Sequence, residues 1–388
     1  MLVRATPQSA VAGNTREYTS TVLSSESDIA RLDADVDRLL PQRDIALTPR
    51  FVNASLDDNW APRVVVVWRD RRVAGIVYGK ERLIGRFASG LIYGDGRLGH
   101  LVVADAVDCE AVLLTAIRSW FALPRVRGVR LAISPAGAEA GAVERVRETL
   151  KLDLTRATPA SYELHSRLPL ATDYEAFLGS LGHQTRRNFR YYRRKFEAAG
   201  HRYVERVAPE ELESILGRLR SKSRIPFSIA KMTSAARTVL STAEPWVTGL
   251  RQADGEYLSV SAGWIDRGKA TMLLQQNNDL EFSDASLSVV LRGYLIETLI
   301  RQGIPELIFW SGSAPPLSRY ALPLPAISLH FDSRSIGWRL VRGMIGATQP
   351  LLRRWAEDLR WVALPRSESG SKSARQSDPR QEAIESRT

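Results

Sequence analysis

Apolar positions in this 388-residue chain fall into short strand-like runs and three- and four-spaced helical stripes. The clearest series runs from Trp264 to Gly312. A first apolar run turns at Asp266-Arg267-Gly268 into a second, Ala270 to Leu274, and a polar loop, Gln275 to Asp284, follows. Leu287, Val290, Leu291, Tyr294, Leu295, Thr298 and Leu299 then repeat as one face of a helix. Gly303 and Pro305 stop it, and Leu307 to Trp310 is a short buried strand. Strand, loop, helix, strand is a βαβ unit, which predicts two parallel strands.

The same order occurs earlier. Ser27 to Leu40 carries a short amphipathic helix pattern, and Trp60 to Gly79 reads as a hairpin turning at Arg69 to Arg72. Its four consecutive valines, Val64 to Val67, predict a strand covered on both faces. Leu83 to Ile92 reads as one further strand, and Leu98 to Val103 as another after the Gly94-Asp95-Gly96 turn. A helix over Cys109 to Phe121 and a strand from Val129 to Ser134 complete the half. In the second half Trp246 to Leu250, a turn at Ala253-Asp254-Gly255 and Tyr257 to Ile265 precede the βαβ unit. Element order therefore predicts an internal structural duplication.

Between the halves, Gly182 to Arg206 is the most charged stretch. Phe189, Tyr192 and Phe196 form a buried stripe there, with Arg186, Arg187, Arg190, Arg193, Arg194 and Lys195 on the solvated side and Gly200 as the stop. An anionic substrate or an RNA backbone is the functional alternative for those bases. Ile327 to Phe331 reads as a last strand. Ile336 to Trp361 is a basic amphipathic segment that packs on its own domain or lies on an acidic membrane surface. Met1 to Ser25 and Arg366 to Thr388 read as disordered ends.

A net charge of +11 points to an anionic partner. One cysteine, Cys109, excludes an internal disulfide framework and a cysteine-based zinc site. Five histidines without ligand spacing argue against a metal enzyme, so no metal site is expected. No apolar run has the length of a membrane span, and the first residues lack a signal-peptide core. The expected setting is cytoplasmic, with a peripheral position at the inner face of the membrane as a variant.

The candidate chemistry lies where the second helix begins. Ser283, Asp284, Ser286 and Ser288 stand where backbone N–H groups lack helical partners. They either cap the helix or seat a phosphate-bearing ligand. The corresponding start in the first half, Val103 to Asp108, is acidic and without serines.

Arg186-Arg187-Asn188-Phe189-Arg190 through Glu197-Ala198-Ala199-Gly200 resembles the opening signature of the CelD-like acyltransferase domain. That domain belongs to the GNAT superfamily and is related to Fem-type peptidoglycan aminoacyl transferases. Asn277 to Leu287, continuing to Gly303, resembles its later block, and the likeness spans Leu164 to Tyr320. It implies tandem GNAT-like α/β lobes, each a mixed, mostly antiparallel sheet flanked by helices around a central βαβ unit. The lobes would be 26–165 and 166–335, with an arm at 1–25, a helical segment at 336–362 and a tail at 363–388.

The resemblance implies transfer of an acyl group from coenzyme A, as co-substrate, to a small-molecule or glycan amine. The donor would meet Ser283, Ser286, Leu287 and Ser288 with its pyrophosphate. Leu273, Leu274 and Gln275, beside Met272, would line its pantetheine arm. Tyr320 would be the general acid and Arg319 would keep a positive charge beside it; Glu281 and Asp284 are the loop carboxylates nearest the site for a base, with Asp279 a third, or all three are solvated loop acids. Serines replace the superfamily's glycine-rich pyrophosphate loop, and Ile308 to Trp310 lack the acidic residue common in that strand. A non-catalytic scaffold of an exopolysaccharide system, and a transferase using aminoacyl-tRNA, are the alternatives.

Overall fold

In the computed structural model of this chain, Val64 to Val67 are all buried. Val65 and Val67 enter one core and Val64 and Val66 another, as four valines in a doubly covered strand require. The structure describes residues 18–39, 45–84, 87–94, 101–103, 108–133, 138–157, 165–310, 312–313 and 315–333. The segments expected at 336–362 and 363–388 lie outside the described residues.

The first half comprises β1 (Tyr18–Leu23), α1 (Glu26–Ala30), α2 (Asp33–Leu39), α3 (Pro49–Ser55), β2 (Trp60–Pro62), β3 (Val64–Arg69) and β4 (Arg72–Val77). It continues with β5 (Lys80–Ile84), β6 (Phe87–Tyr93), β7 (Leu101–Val103), α4 (Cys109–Ala122), β8 (Gly128–Ile133), α5 (Ala138–Leu150) and β9 (Asp153–Ala157). Its strands make two sheets, ordered β1-β3-β4-β7 and β2-β5-β6-β8-β17-β9, where β17 is Ile327–Asp332.

The second half comprises β10 (Ser166–Pro169), α6 (Tyr174–Ser180), α7 (His183–Ala198), β11 (Arg202–Val204), α8 (Leu212–Arg220), α9 (Ile229–Leu240) and β12 (Pro245–Arg251). Then come β13 (Tyr257–Asp266), β14 (Lys269–Asn277), α10 (Leu287–Arg301), β15 (Glu306–Phe309) and β16 (Leu322–Pro323). They form one sheet, β11-β12-β13-β14-β15-β10-β16. Each half thus has a mixed, mostly antiparallel sheet with one parallel pair across a helix: β6 with β8 around α4, and β14 with β15 around α10. The duplication expected from element order is present.

Four expectations need correction. The arm assigned to 1–25 ends in a strand, because Tyr18–Leu23 pairs antiparallel with β3 along its whole length; Thr19, Thr21 and Val22 suit a pleated edge. The helix expected over Ser27 to Leu40 is broken between α1 and α2. Leu83 to Ile92 is a hairpin rather than one strand, with Leu83 opposite Ala88. And β17, assigned to the second lobe, lies between β8 and β9 in the first. Phe331 and Leu329 are buried with Val129, Leu131 and Trp120, so the first core is closed by residues from the far end of the described chain.

The two halves meet on an aromatic joint. Phe51 of α3 stands edge-on to Trp264 of β13 at 5.2 Å, and Trp310 packs on both. Arg237 of α9 donates to the carbonyl of Leu56, and the Ile45 amide donates to Asp266.

One irregularity in the second sheet positions the candidate site. Ala262 lies opposite Leu274 but Gly263 lies opposite Met272, so Leu273 is an extra residue, a β-bulge. The bulge bends β14 where it parts from β15. Their ladder covers only Ala270 to Met272, closing with the Trp310 amide on the Met272 carbonyl at 3.0 Å. A Cβ on Gly263 would stand 1.7 Å from the Thr271 carbonyl oxygen, so the strands approach this closely only because residue 263 has no side chain. Gly263→Ala is expected to lower stability by about 3 kcal/mol, read as a lower denaturation midpoint.

Candidate active site

From Leu273 onward β14 pairs with β13 on one edge and leaves the edge facing β15 without a strand. The two strands form a fork, with α10 across one face. Gln275 to Asn277, expected in a loop, belong to β14, because their polar groups find partners inside the fork. Arg292 Nε donates to Gln275 Oε1 at 2.9 Å, and Gln275 Nε2 donates to Asn277 Oδ1 at 3.0 Å. Ser259 Oγ donates to the same Asn277 oxygen at 2.5 Å.

Arg292 is 7% exposed, with its guanidinium over the Phe309 ring. Burial pushes its pKa down to about 10, which still leaves it charged at neutral pH. Sequence reasoning missed it. The available signal was a charge in the middle of a helix whose neighbours Val290, Leu291, Tyr294 and Leu295 are all apolar.

α10 begins without a side-chain cap. Ser283–Ala285 form a short 3₁₀ turn, and Ser286 then adopts the left-handed conformation (φ 46°, ψ 48°) and turns the chain into the helix. Neither Ser283 nor Asp284 is the cap. The Ser286 carbonyl accepts from the Val289 and Val290 amides, at 2.8 and 3.2 Å. The amides of Leu287 and Ser288 make no hydrogen bond among the described residues. A left-handed residue followed by helical ones points successive amides into one concavity, an arrangement that receives anions. At the corresponding start in the first half, Asp108, the N-cap of α4, is 3% exposed, makes no side-chain cap and is bound by Arg69 and by the Tyr18 hydroxyl.

Of the expected donor-lining residues, Gln275 and Ser288 face each other, the Gln275 amide reaching the Ser288 carbonyl at 3.5 Å. Leu287 is buried against Phe196 beneath the helix start, and Ser283 is exposed. Met272 packs under α10 with Phe309, whereas Leu274 faces α8 and α9 in a separate core. Leu273, the bulge residue, also turns to that side, towards Phe51. Phe309 faces α10, so its neighbour Trp310 points the other way, onto the aromatic joint and the His165 ring.

Glu281 closes the loop before α10. It accepts from Asn278 Nδ2 at 2.6 Å and from Lys222 Nζ at 3.4 Å. The Asn278 bond, then Lys222, holds its pKa below the ordinary glutamate value.

Tyr320 sits elsewhere. Its hydroxyl accepts from the Gly182 amide at 2.8 Å and lies 3.4 Å from Thr185 Oγ1, at the N-terminal end of α7. Thr185 and the Gly182 amide lower its pKa, with Arg319 adding to the effect. The start of α10 lies by the opposite end of α7, where Phe282 meets His201 and Leu287 meets Phe196. A helix of 16 residues is about 24 Å long, so Tyr320 and Arg319 are not gathered with Glu281 and Ser286.

α7 and α10 are clamped together. Arg193 bridges Glu197 and Glu297 and lies over the Tyr294 ring, 4.2 Å from its centroid. Tyr294 donates to Glu197 at 2.6 Å. The expected buried stripe is present, with Phe189 and Phe196 buried and Tyr192 half-buried. Arg190 pairs with Glu175, whereas Arg186, Arg187 and Lys195 have no ion pair among the described residues.

The fold is one seen in solved proteins. The crystal structure of FemX superposes with a TM-score of 0.54 at 12% identity, covering 84% of this chain and 99% of that one. A conserved protein of unknown function from Bacteroides thetaiotaomicron VPI-5482 superposes at 0.51 and 10% identity, covering 81% and 100%. A tandem GNAT protein from the clavulanic acid biosynthesis pathway superposes at 0.49 and 13%, covering 81% and 98%. No curated protein matches the chain in sequence. Residues 183–316 match the family model of the acetyltransferase (GNAT) domain. The second half therefore carries an N-acyltransferase domain of the GNAT superfamily.

The clamp predicts a pH effect. The Tyr294 hydrogen bond, then Arg193, lowers the Glu197 pKa from 4.5. A lowered carboxylate pKa contributes stability that is complete above the unfolded value and lost as pH falls through the folded one. The native chain should therefore lose stability below about pH 4.5 more steeply than Glu197→Gln, measured by thermal unfolding at stepped pH.

Proposed function

We propose that the chain moves an acyl group from an acyl-coenzyme A-type thioester to an amine. The observation that carries this reading is the fork: among the described residues, the β14 edge beyond Met272 pairs with no strand on that side and leads to a helix start whose Leu287 and Ser288 amides make no hydrogen bond. An unpaired edge suits a ligand that carries amides, and free amides at a helix N-terminus suit its pyrophosphate. Gln275 at the edge and Arg292 beneath it supply further donors without a metal ligand set. Among the described residues no group of His, Cys, Asp and Glu could hold a metal ion.

A long thioester carrier also accounts for the separation of the expected residues. With its pyrophosphate at Leu287 and Ser288, its reactive end would lie towards Gly182 and Tyr320. The neutral amine attacks the thioester carbon, the C–S bond breaks, the departing thiolate takes a proton from Tyr320, and the amine gives up one to solvent. The lowered pKa of Tyr320 makes it a better acid near neutrality than an ordinary phenol. Glu281, bound to Asn278 and Lys222, serves in this reading as a loop clamp rather than a base. The acceptor we propose is a small-molecule or glycan amine, such as an amino sugar or a cell-envelope precursor. Its support is the likeness of Arg186 to Gly200 to domains related to Fem-type transferases, together with the fold shared with FemX.

Aminoacyl-tRNA is the second reading for the donor, favoured by the unpaired Arg186, Arg187 and Lys195 on α7. The scaffold reading would gain from a fork filled by Trp310, and Trp310 faces the aromatic joint instead.

Calorimetric titration with coenzyme A and acetyl-coenzyme A is the direct test. Micromolar binding by the native chain, abolished in Ser286→Glu, is the expected outcome. Absence of binding by the native chain would overturn the coenzyme A reading, and tRNA binding that weakens steeply with salt would replace it.

Turnover offers an independent check on Tyr320. Tyr320→Phe should lower kcat about a hundredfold. It should also remove an alkaline loss of activity that, in the native chain, begins below the ordinary tyrosine pKa of 10.0.

A further inference from the structure

Two loops beside the start of α10 form one exposed tip. The Leu280 amide donates to the Lys222 carbonyl at 3.1 Å and so joins the segment before α10 to the connection between α8 and α9. Ile225 is 83% exposed, Ile229 65% and Leu280 56%, with Pro226 exposed beside them. The tip is held in shape. Arg220 donates to the Phe227 carbonyl at 3.1 Å, and Lys231 lies over the Phe227 ring at 4.4 Å. Three large aliphatic side chains held in water on joined loops mark a surface that meets something apolar.

The surrounding charge says what kind of surface that is. Gly217 to Lys231 contains Arg218, Arg220, Lys222, Arg224 and Lys231, and no Asp or Glu. Acids near it include Glu281, paired with Lys222, Asp279, which feels Arg224, Glu213, which accepts from Thr233, Glu211, which shares Tyr257 with Arg218, and Asp284 on the connection that carries Leu280. Within Lys222 to Ile229 itself the charged residues are Lys222 and Arg224, both basic. Protein interfaces are built around aromatic anchors with lysine depleted, whereas isolated aliphatic residues ringed by Lys and Arg match hydrocarbon beneath anionic headgroups. Long basic side chains can lay their stems along the apolar layer and keep their charges at the headgroups.

We propose that the tip Lys222 to Ile229, with Leu280, docks this chain on an anionic lipid bilayer. Leu280 and Ser286 lie on the same short connection from β14 to α10. Docking therefore brings the candidate donor seat to the headgroup layer, where a lipid-linked amine would be within reach. That last step rests on the acyltransferase reading; the docking does not.

The test is co-sedimentation of the full chain with phosphatidylglycerol-containing vesicles and with pure phosphatidylcholine vesicles, at low and high salt. The native chain should sediment with the anionic vesicles only, and less at high salt. Ile225→Asp combined with Ile229→Asp should bind about tenfold more weakly, and Arg224→Glu likewise. Both variants should keep the native melting temperature and coenzyme A titration, so failure of docking and failure of the acyltransferase reading are separately visible. Arg224→Glu decides the matter if the double variant does not fold. Native-like vesicle binding by the variants, equal binding to neutral vesicles, or no binding by the native chain would each overturn the proposal. So would a native dimer that the tip variants convert to monomer, since the tip would then cover a second copy.

Discussion

The second half of this protein depends on a strand that cannot satisfy both its neighbours. β14 follows β13 along its whole length but β15 for only three residues, and the extra residue Leu273 enforces the parting. Gly263 permits it by letting the Thr271 carbonyl come within a distance that any side chain would forbid. Past the bulge, alternation along β14 changes sides. Met272 faces α10, Leu274 faces α8 and α9, and Gln275 faces α10 again. Polar side chains therefore collect in the fork and bond to one another, and Arg292 is held there by Gln275 beneath the helix. The Leu287 and Ser288 amides at the start of α10, without a hydrogen bond among the described residues, complete the proposed seat.

The halves share an architecture but not a use. In the first, the corresponding helix starts at a buried Asp108 that pairs with Arg69. In the second, Ser286 takes a left-handed turn, a conformation that costs a residue with a side chain about 1 kcal/mol or more, and leaves two amides open. Strain of this size persists where the surrounding structure fixes it, and here Leu287 and Val290 are anchored against Phe196 just behind the turn.

Local patterns carried much of this into the sequence. The valine run, the basic helix with its aromatic stripe and the βαβ unit from Trp264 to Gly312 were legible because strand and helix periods are short-range signals. The polar residues Gln275 to Asn277 looked like loop because their partners, Ser259 and Arg292, lie on other elements. The destination of Ile327–Asp332 was illegible for a related reason. Its alternation announces a strand, but nothing in it says which sheet will receive it. The donor seat was read on the α10 start, and the structure finds two amides there without a hydrogen-bond partner among the described residues. Tyr320 was read only as a general acid, and the packing of α7 on α10 shows that it stands at the far end of α7 from that helix start.

The position of β17 has a consequence for the order of events on the ribosome. Domains emerging N-terminal first ordinarily fold in that order. Here the sheet that holds β8 and β9 is missing the strand that joins them until Ile327–Asp332 has been translated, after every strand of the second half's sheet. The earlier-made lobe is the later to finish, and until then β8 and β9 present unpaired edges towards each other. Such edges recruit any passing strand, so a nascent chain of this protein is most exposed to mispairing and to chaperones while its second half is being made.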